Sequence, residues 1–145
     1  MADPLSITAS VAGLISLGTS IAQGGYSYLS AARAAPKEIV QLLSQISALN
    51  IVLSQVLPIS MNQTSSPKSH AIATLNQRGT LDECQEALNS TSSLLSEFQQ
   101  VEGHTKTNIA KSLKWPFYQG KAERLVKRLN RLQNLLHLAI AVDSE

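Results

Sequence analysis

The stretch that decides the fold is PKEIVQLLSQISALNIVLSQVLP, residues 36–58. Its apolar side chains recur at alternating steps of three and four, which places them on one face of an α-helix and is typical of a bundle seam. This seam consists of Ile39, Leu42, Ile46, Leu49, Leu53 and Val56. Proline is favoured in the first turn of a helix and disfavoured in its interior, so the two prolines predict a helix over about 36–57.

Three other segments repeat the spacing and predict helices over about 4–33, 70–102 and 117–142. Their seams are Ile7, Val11, Leu14, Gly18, Ile21, Gly25 and Tyr28; Leu81, Cys84, Leu88, Thr91, Leu95 and Phe98; and Tyr118, Ala122, Leu125, Leu129, Leu132, Leu136 and Ala139. Because the links between the helices are fairly short, the pattern predicts an antiparallel four-helix bundle in a single domain over 1–145.

Local breaks refine these boundaries. Gly79 is expected to kink or interrupt the start of the third helix, and Gly103 is expected to lie just past its end. Residues 105–114 are ambiguous and allow a short extra helix, whereas Trp115-Pro116-Phe117 predicts a corner before the last helix.

Composition supports an all-α class and argues against some functions. Hydrophobic residues make up 43% of the chain and aromatic residues only 4%, which fits packed helices better than a β-sandwich. The net charge of +2 is low for a nucleic-acid-binding domain. We therefore expect no nucleic acid among the partners.

The first predicted helix is unusual because residues 5–32 contain no charged side chain. Its length suits a bilayer, which needs about 20 apolar residues, but eight Ser or Thr residues and four glycines make it a poor constitutive span. Small residues also permit close helix packing. Two interpretations remain open: a central core helix of a soluble bundle, or a helix that packs at rest and inserts into lipid when triggered.

A basic stripe marks the last predicted helix. It consists of Lys121, Arg124, Lys127, Arg128 and Arg131. These residues either form ion pairs with Asp82, Glu83 or Glu86 of the third helix, or attract anionic lipid head groups at about 1 kcal/mol per basic residue.

Catalytic and metal-binding patterns are not evident in the sequence. His70, His104 and His137 are far apart, and the single cysteine, Cys84, occupies a seam position that predicts burial. A single cysteine also excludes an internal disulfide and suits the reducing cytoplasm. We expect no enzyme activity, no cofactor, no metal and no small-molecule substrate.

Several short motifs resemble one family. These are DPLSI at 3–7, SVAGLI at 10–15, APKEI at 35–39, LDEC at 81–84 and LKWPF at 113–117. In this order, together with the leucine-rich last helix, they resemble the N-terminal domains of fungal STAND proteins, the NLR-like receptors of fungi, which are grouped with the HeLo-like domains.

The resemblance implies a helical bundle that executes regulated cell death in fungal immunity. Such domains oligomerise, move from the cytoplasm to the plasma membrane and permeabilise it through the N-terminal helix. Carried over residue by residue, the membrane-insertion set is Leu5, Ile7, Val11, Leu14, Ile15, Leu17 and Ile21. A charge at Leu14 is then expected to abolish lysis and leave the domain folded. The alternative is a protein–protein interaction module that self-associates without lipid.

Overall fold

Long α-helices make up nearly all of the described chain. The computed structural model describes residues 4–31, 36–61, 79–104 and 108–143, with side chains described at 7–30, 36–60, 79–98 and 118–141. Within these ranges there are four helices and no strand: α1 Pro4–Ala31, α2 Lys37–Met61, α3 Thr80–His104 and α4 Asn108–Asp143. The predicted all-α class is confirmed.

The end of α2 differs from the prediction, because the helix continues through Pro58 to Met61. A proline inside a helix removes one backbone hydrogen bond and crowds the preceding turn. Here it lies in the last turn with its side chain exposed, so the core is not disturbed. Ser60, two residues further, is fully buried, and its Oγ lies 3.1 Å from Oγ1 of Thr8 in α1. This contact holds the final turn of α2 against α1.

The predicted corner at residues 115–117 is also wrong. Helix α4 is continuous from Asn108 to Asp143, so the short extra helix allowed near 105–114 is the first part of α4. Residues 108–114 include alanine, leucine and two lysines, which are good helix formers. A single proline costs the helix one hydrogen bond, and the turns on either side can carry it past that point.

Gly79 lies directly before the first residue of α3. Its φ of +76° is in the left-handed region, which glycine adopts without strain and a right-handed helix cannot use. Helix α3 begins directly afterwards at Thr80, with Asp82 and Glu83 in its first turn. Carboxylates at this position are stabilised by the positive end of the helix dipole. The predicted residues 70–78 lie outside the described residues. At the other end α3 runs through Gly103 to His104, slightly beyond the predicted limit.

The predicted seams form the hydrophobic core. Every seam residue of α2, α3 and α4 is buried, as are six of the seven in α1, with Tyr28 partly buried. Leu43, Val52, Ala87 and Leu94 are buried beside them. One aliphatic cluster therefore joins all four helices.

Helices that follow each other within a pair are antiparallel. Thr8 near the start of α1 contacts Ser60 near the end of α2. Tyr26, near the end of α1, contacts Ser47, which comes earlier in α2, with 3.4 Å between the tyrosine hydroxyl and the serine Oγ. The pair α3 and α4 is arranged in the same way, since Glu83 contacts Arg131 and Glu86 contacts Arg128. We call these pairs the α1–α2 hairpin and the α3–α4 hairpin.

The two hairpins lie side by side, and the helices that meet between them run in the same direction. Gln119 of α4 contacts Glu38 of α2, and further along both helices Gln133 contacts Gln45, so α2 and α4 are parallel. The main helix contacts link α1 to α2, α2 to α4, α4 to α3 and α3 to α1. The bundle is therefore a ring in which each hairpin remains a neighbouring pair.

Candidate functional site: a neutral helix and a basic groove

Helix α1 turns its predicted membrane-insertion side chains towards the bundle. Ile7, Val11, Leu14 and Ile21 are buried, and Ile15 and Leu17 are partly buried against the same core. Leu5 belongs to α1, but its side chain lies outside the described residues. These side chains can meet lipid only if the bundle opens.

The outward face of α1 is neutral and open to solvent. Its exposed residues include Ala9, Ser10, Ala12, Gly13, Ser16, Thr19, Ser20, Gln23 and Gly24. Only 28% of an 18-residue window within Ile7–Ser30 is buried. Helix α1 therefore packs into the core on one side and faces solvent on the other, because each helix in a ring of four keeps one face towards solvent.

Glycines bring α1 and α2 into close contact. A Cβ atom built on Gly25 would overlap the side chain of Leu43, and one built on Gly18 would overlap Asn50. By contrast, nothing lies within 4 Å of a Cβ built on Gly13 or Gly24. The two close glycines are seven residues apart, so they share one face and set the distance between the two helix axes.

Asn50 provides polar contacts at the same interface. Its Nδ2 donates to the backbone oxygen of Ile15 at 3.2 Å and to Oγ1 of Thr19 at 3.1 Å. Its Oδ1 is buried and accepts no hydrogen bond from any described residue. An amide in this position specifies how the two helices are aligned, because a shifted register would leave more of its polar atoms unpaired.

Aromatic rings connect three helices at one end of the bundle. The ring of Phe98 in α3 meets Tyr28 of α1 edge to face at 6.0 Å between centroids, and Tyr118 of α4 at 6.1 Å. Such pairs contribute about 0.5–1.5 kcal/mol beyond the area they bury. This cluster is the main aromatic link between the hairpins among the described side chains.

The basic stripe is split by ion pairs. Arg128 Nε lies 3.5 Å from Glu83 Oε1, and Arg128 Nη2 lies 3.2 Å from Glu86 Oε2. Arg131 also contacts Glu83. The ion-pair interpretation is thus confirmed for these two arginines. Arg124 and Lys127 are exposed and form the outward part of the stripe.

A groove of about 620 Å³ lies between α3 and α4 beside these residues. Its basic lining is Lys121, Arg124 and Arg128, and Glu86 and Glu97 line it as well. Because two carboxylates lie among three cations, the groove suits a polar group of mixed charge better than a bare anion.

Cys84 and the histidines do not form a reactive centre in the described residues. Burial raises the pKa of the Cys84 thiol to about 12; the charge of Glu83 adds to this rise and Arg128 opposes it. A thiol must ionise to act as a nucleophile, so Cys84 is a core side chain at neutral pH. His137 is exposed, whereas the side chains of His70 and His104 lie outside the described residues. No cluster of three metal-binding side chains occurs in the described ranges.

Helix α2 has a feature that our sequence analysis missed. Among the described residues, two segments are long and apolar enough to cross a membrane: Ile7–Ser30, with a mean hydropathy of 1.2, and Lys37–Ser60, with 1.6. Core helices of soluble proteins pass the same test. The available signal was the absence of charge between Glu38 and Lys68, which the strong seam of α2 concealed.

Comparisons with known protein families, with curated proteins and with solved structures found no match to this chain.

Proposed function

We propose that the protein is a HeLo-like effector domain of a fungal NLR-like receptor, which oligomerises and permeabilises membranes to cause regulated cell death. The observation that carries the proposal is α1. It has 28 residues and none of them is charged, and only its apolar face packs against the bundle. No catalytic residue, cofactor or metal takes part in this function.

Activation requires α1 to expose its inward face. Ile7, Val11, Leu14 and Ile21 are buried at rest, and exposing such side chains to water costs about 1.5–3 kcal/mol each. A bilayer removes this cost because its interior is as apolar as the core. Self-association, together with the membrane, then favours the opened form, and the protein moves from the cytoplasm to the plasma membrane.

Substitution of Ser16 tests the insertion of α1. Ser16 is exposed near the middle of the helix, so Ser16→Glu should leave the bundle folded. A charge at the centre of an inserted helix costs about 2.5–3.5 kcal/mol, and we expect dye release from anionic liposomes to fall at least about tenfold. Ser16→Gln, of matched size and without charge, should retain most of the release. Equal release from both variants excludes insertion of α1.

The exposed basic residues are proposed to attract anionic lipid. We expect the double substitution Arg124→Glu, Lys127→Glu to weaken binding to anionic liposomes by at least about thirtyfold, since each basic residue contributes about 1 kcal/mol near the surface. Binding by the unmodified protein should also weaken as salt is raised. Arg128 and Arg131 are unsuitable for this test because they hold Glu83 and Glu86. Salt-independent binding contradicts the electrostatic part of the proposal.

A lipid-independent interaction module is the second candidate. The neutral outward face of α1 and the exposed Ile51 of α2 are also suited to contact another protein chain. Oligomers that form in solution, from protein that neither binds liposomes nor releases dye, favour this function over membrane permeabilisation.

A further inference from the structure

The structure divides the bundle into a neutral half and a charged half. Between Glu38 and Ser60, α2 has no charged residue, and α1 has none between its first turn and Ala31. In contrast, the α3–α4 hairpin carries Glu83, Glu86 and Arg128 in an ion-pair network. The α1–α2 hairpin is therefore neutral along almost its entire length.

The contacts inside the α1–α2 hairpin are of a kind that persists in lipid. Water-driven association vanishes between helices in a bilayer, whereas close packing at small residues and hydrogen bonds between helices remain. The hairpin has both: Gly25 packs on Leu43, and Asn50 donates to Ile15 and Thr19. Its two helices can therefore stay together without water around them.

The contacts between the two hairpins depend more on aliphatic packing. They include the polar contacts of Gln119 and Gln133 with α2 and the edge of Phe98 on Tyr28, but most of the described core side chains are aliphatic. Lipid replaces aliphatic contacts at little cost because acyl chains are equally apolar. The ring order of the helices also lets the bundle open along this border with both hairpins intact.

The α3–α4 hairpin is a poor candidate for entering the bilayer. Charged side chains near the middle of an inserted helix each cost about 2.5–3.5 kcal/mol, and Glu83, Glu86, Arg128 and Arg131 all lie within α3 and α4. This hairpin therefore stays at the surface, where Arg124 and Lys127 can meet lipid head groups.

We propose that the element entering the bilayer is the α1–α2 hairpin as a unit, and not α1 alone. This inference rests on the proposed membrane function and adds α2 to the inserting element. Both helices are long enough, at 28 and 25 residues, since a span needs about 20. In the inserted state, lipid acyl chains then contact the faces of α1 and α2 that are exposed to solvent at rest.

Ile51 and Leu138 give a matched test. Both are large aliphatic side chains on outward faces, with exposures of 62% and 64%, but Ile51 lies on α2 and Leu138 on α4. Because both are exposed, neither Ile51→Glu nor Leu138→Glu should unfold the bundle. We expect Ile51→Glu to lower dye release from anionic liposomes at least about tenfold, and Leu138→Glu to stay within about twofold of the unmodified protein.

An environment-sensitive fluorophore shows which helices meet lipid. It is attached in a Cys84→Ala background to Ser16→Cys, Ile51→Cys or Leu138→Cys, with folding checked by circular dichroism. On liposomes carrying a quencher in their acyl chains, we expect a blue shift and quenching at the first two positions and neither at the third.

The outcomes separate the inference from the function it rests on. If dye is released, position 16 is quenched and position 51 stays in water, α1 inserts alone: the hairpin inference fails and the membrane function stands. Quenching at all three positions also overturns the inference, since the whole chain then lies in lipid. Absence of both binding and release overturns the membrane function itself and the inference with it.

Discussion

Leu14→Glu is expected to unfold the bundle at neutral pH. Leu14 is 2% exposed in the core, and a carboxylate placed there has no basic partner on α1, which carries no charge beyond its first turn. Burying an unpaired ionised group costs several kcal/mol, which is comparable to the whole stability of a small domain. Urea denaturation followed by circular dichroism measures the loss.

The control is Ser16→Glu, two residues further along the same helix. Because Ser16 is exposed, this substitution should change the free energy of unfolding by less than about 0.5 kcal/mol. A Leu14→Glu protein as stable as the unmodified chain contradicts the packing of α1 described above.

The destabilisation by Leu14→Glu should depend on pH with a definite sign. Burial raises the pKa of the introduced carboxyl above its value in the unfolded chain. The protonated form is tolerated better, so stability is greatest below the unfolded pKa and falls as pH rises through the folded pKa. Because Leu14 is buried, we expect unfolding here in place of the folded domain expected from the sequence, and insertion is better tested at outward positions.

Gly25→Ala is expected to destabilise the bundle by about 1–3 kcal/mol, whereas Gly24→Ala should stabilise it by about 0.5–1 kcal/mol. The added methyl group at Gly25 overlaps Leu43, which is fully buried and has little room to move; overpacking of this kind has a cost in that range. At Gly24 nothing lies within 4 Å of the added Cβ atom, so the only effect of the substitution is the better helix propensity of alanine.

This pair isolates the distance between α1 and α2. Both substitutions are in the same helix, one residue apart, and change the backbone propensity by the same amount. The difference in unfolding free energy, about 1.5–4 kcal/mol, therefore measures the contact with Leu43. Equal stability of the two variants indicates that α1 and α2 are further apart than described.

The core could be predicted from the sequence because helical periodicity is local. Ile39, Ile46 and Leu53 share a face whatever they pack against, and all three are fully buried. The same argument placed Cys84 and Leu129 inside. The boundaries were less reliable at Pro58 and residues 115–117, where a proline lowers helix propensity without ending the helix.

The candidate site was only partly predictable. The neutral face of α1 and the basic stripe follow from the order of residues along a helix. The sequence does not show which arginines form ion pairs, because the partners are distant in the chain. Arg131 meets Glu83 across 48 residues, and Arg128 meets Glu86 across 42. That α2 is long and apolar enough to cross a membrane was missed, since a strong seam and a membrane span are both rich in the same apolar side chains.

The sequence alone determined that four seams exist, which side chains they contain, and that residues 5–32 are uncharged; these properties depend on neighbours three or four positions apart. Only the tertiary structure decided that α1 is adjacent to α2 and α3, that α2 is parallel to α4, and that Gly25 rather than Gly24 meets Leu43. The reason is physical: periodicity fixes the direction in which a side chain leaves its helix, whereas the partner it meets depends on packing between segments distant in the chain.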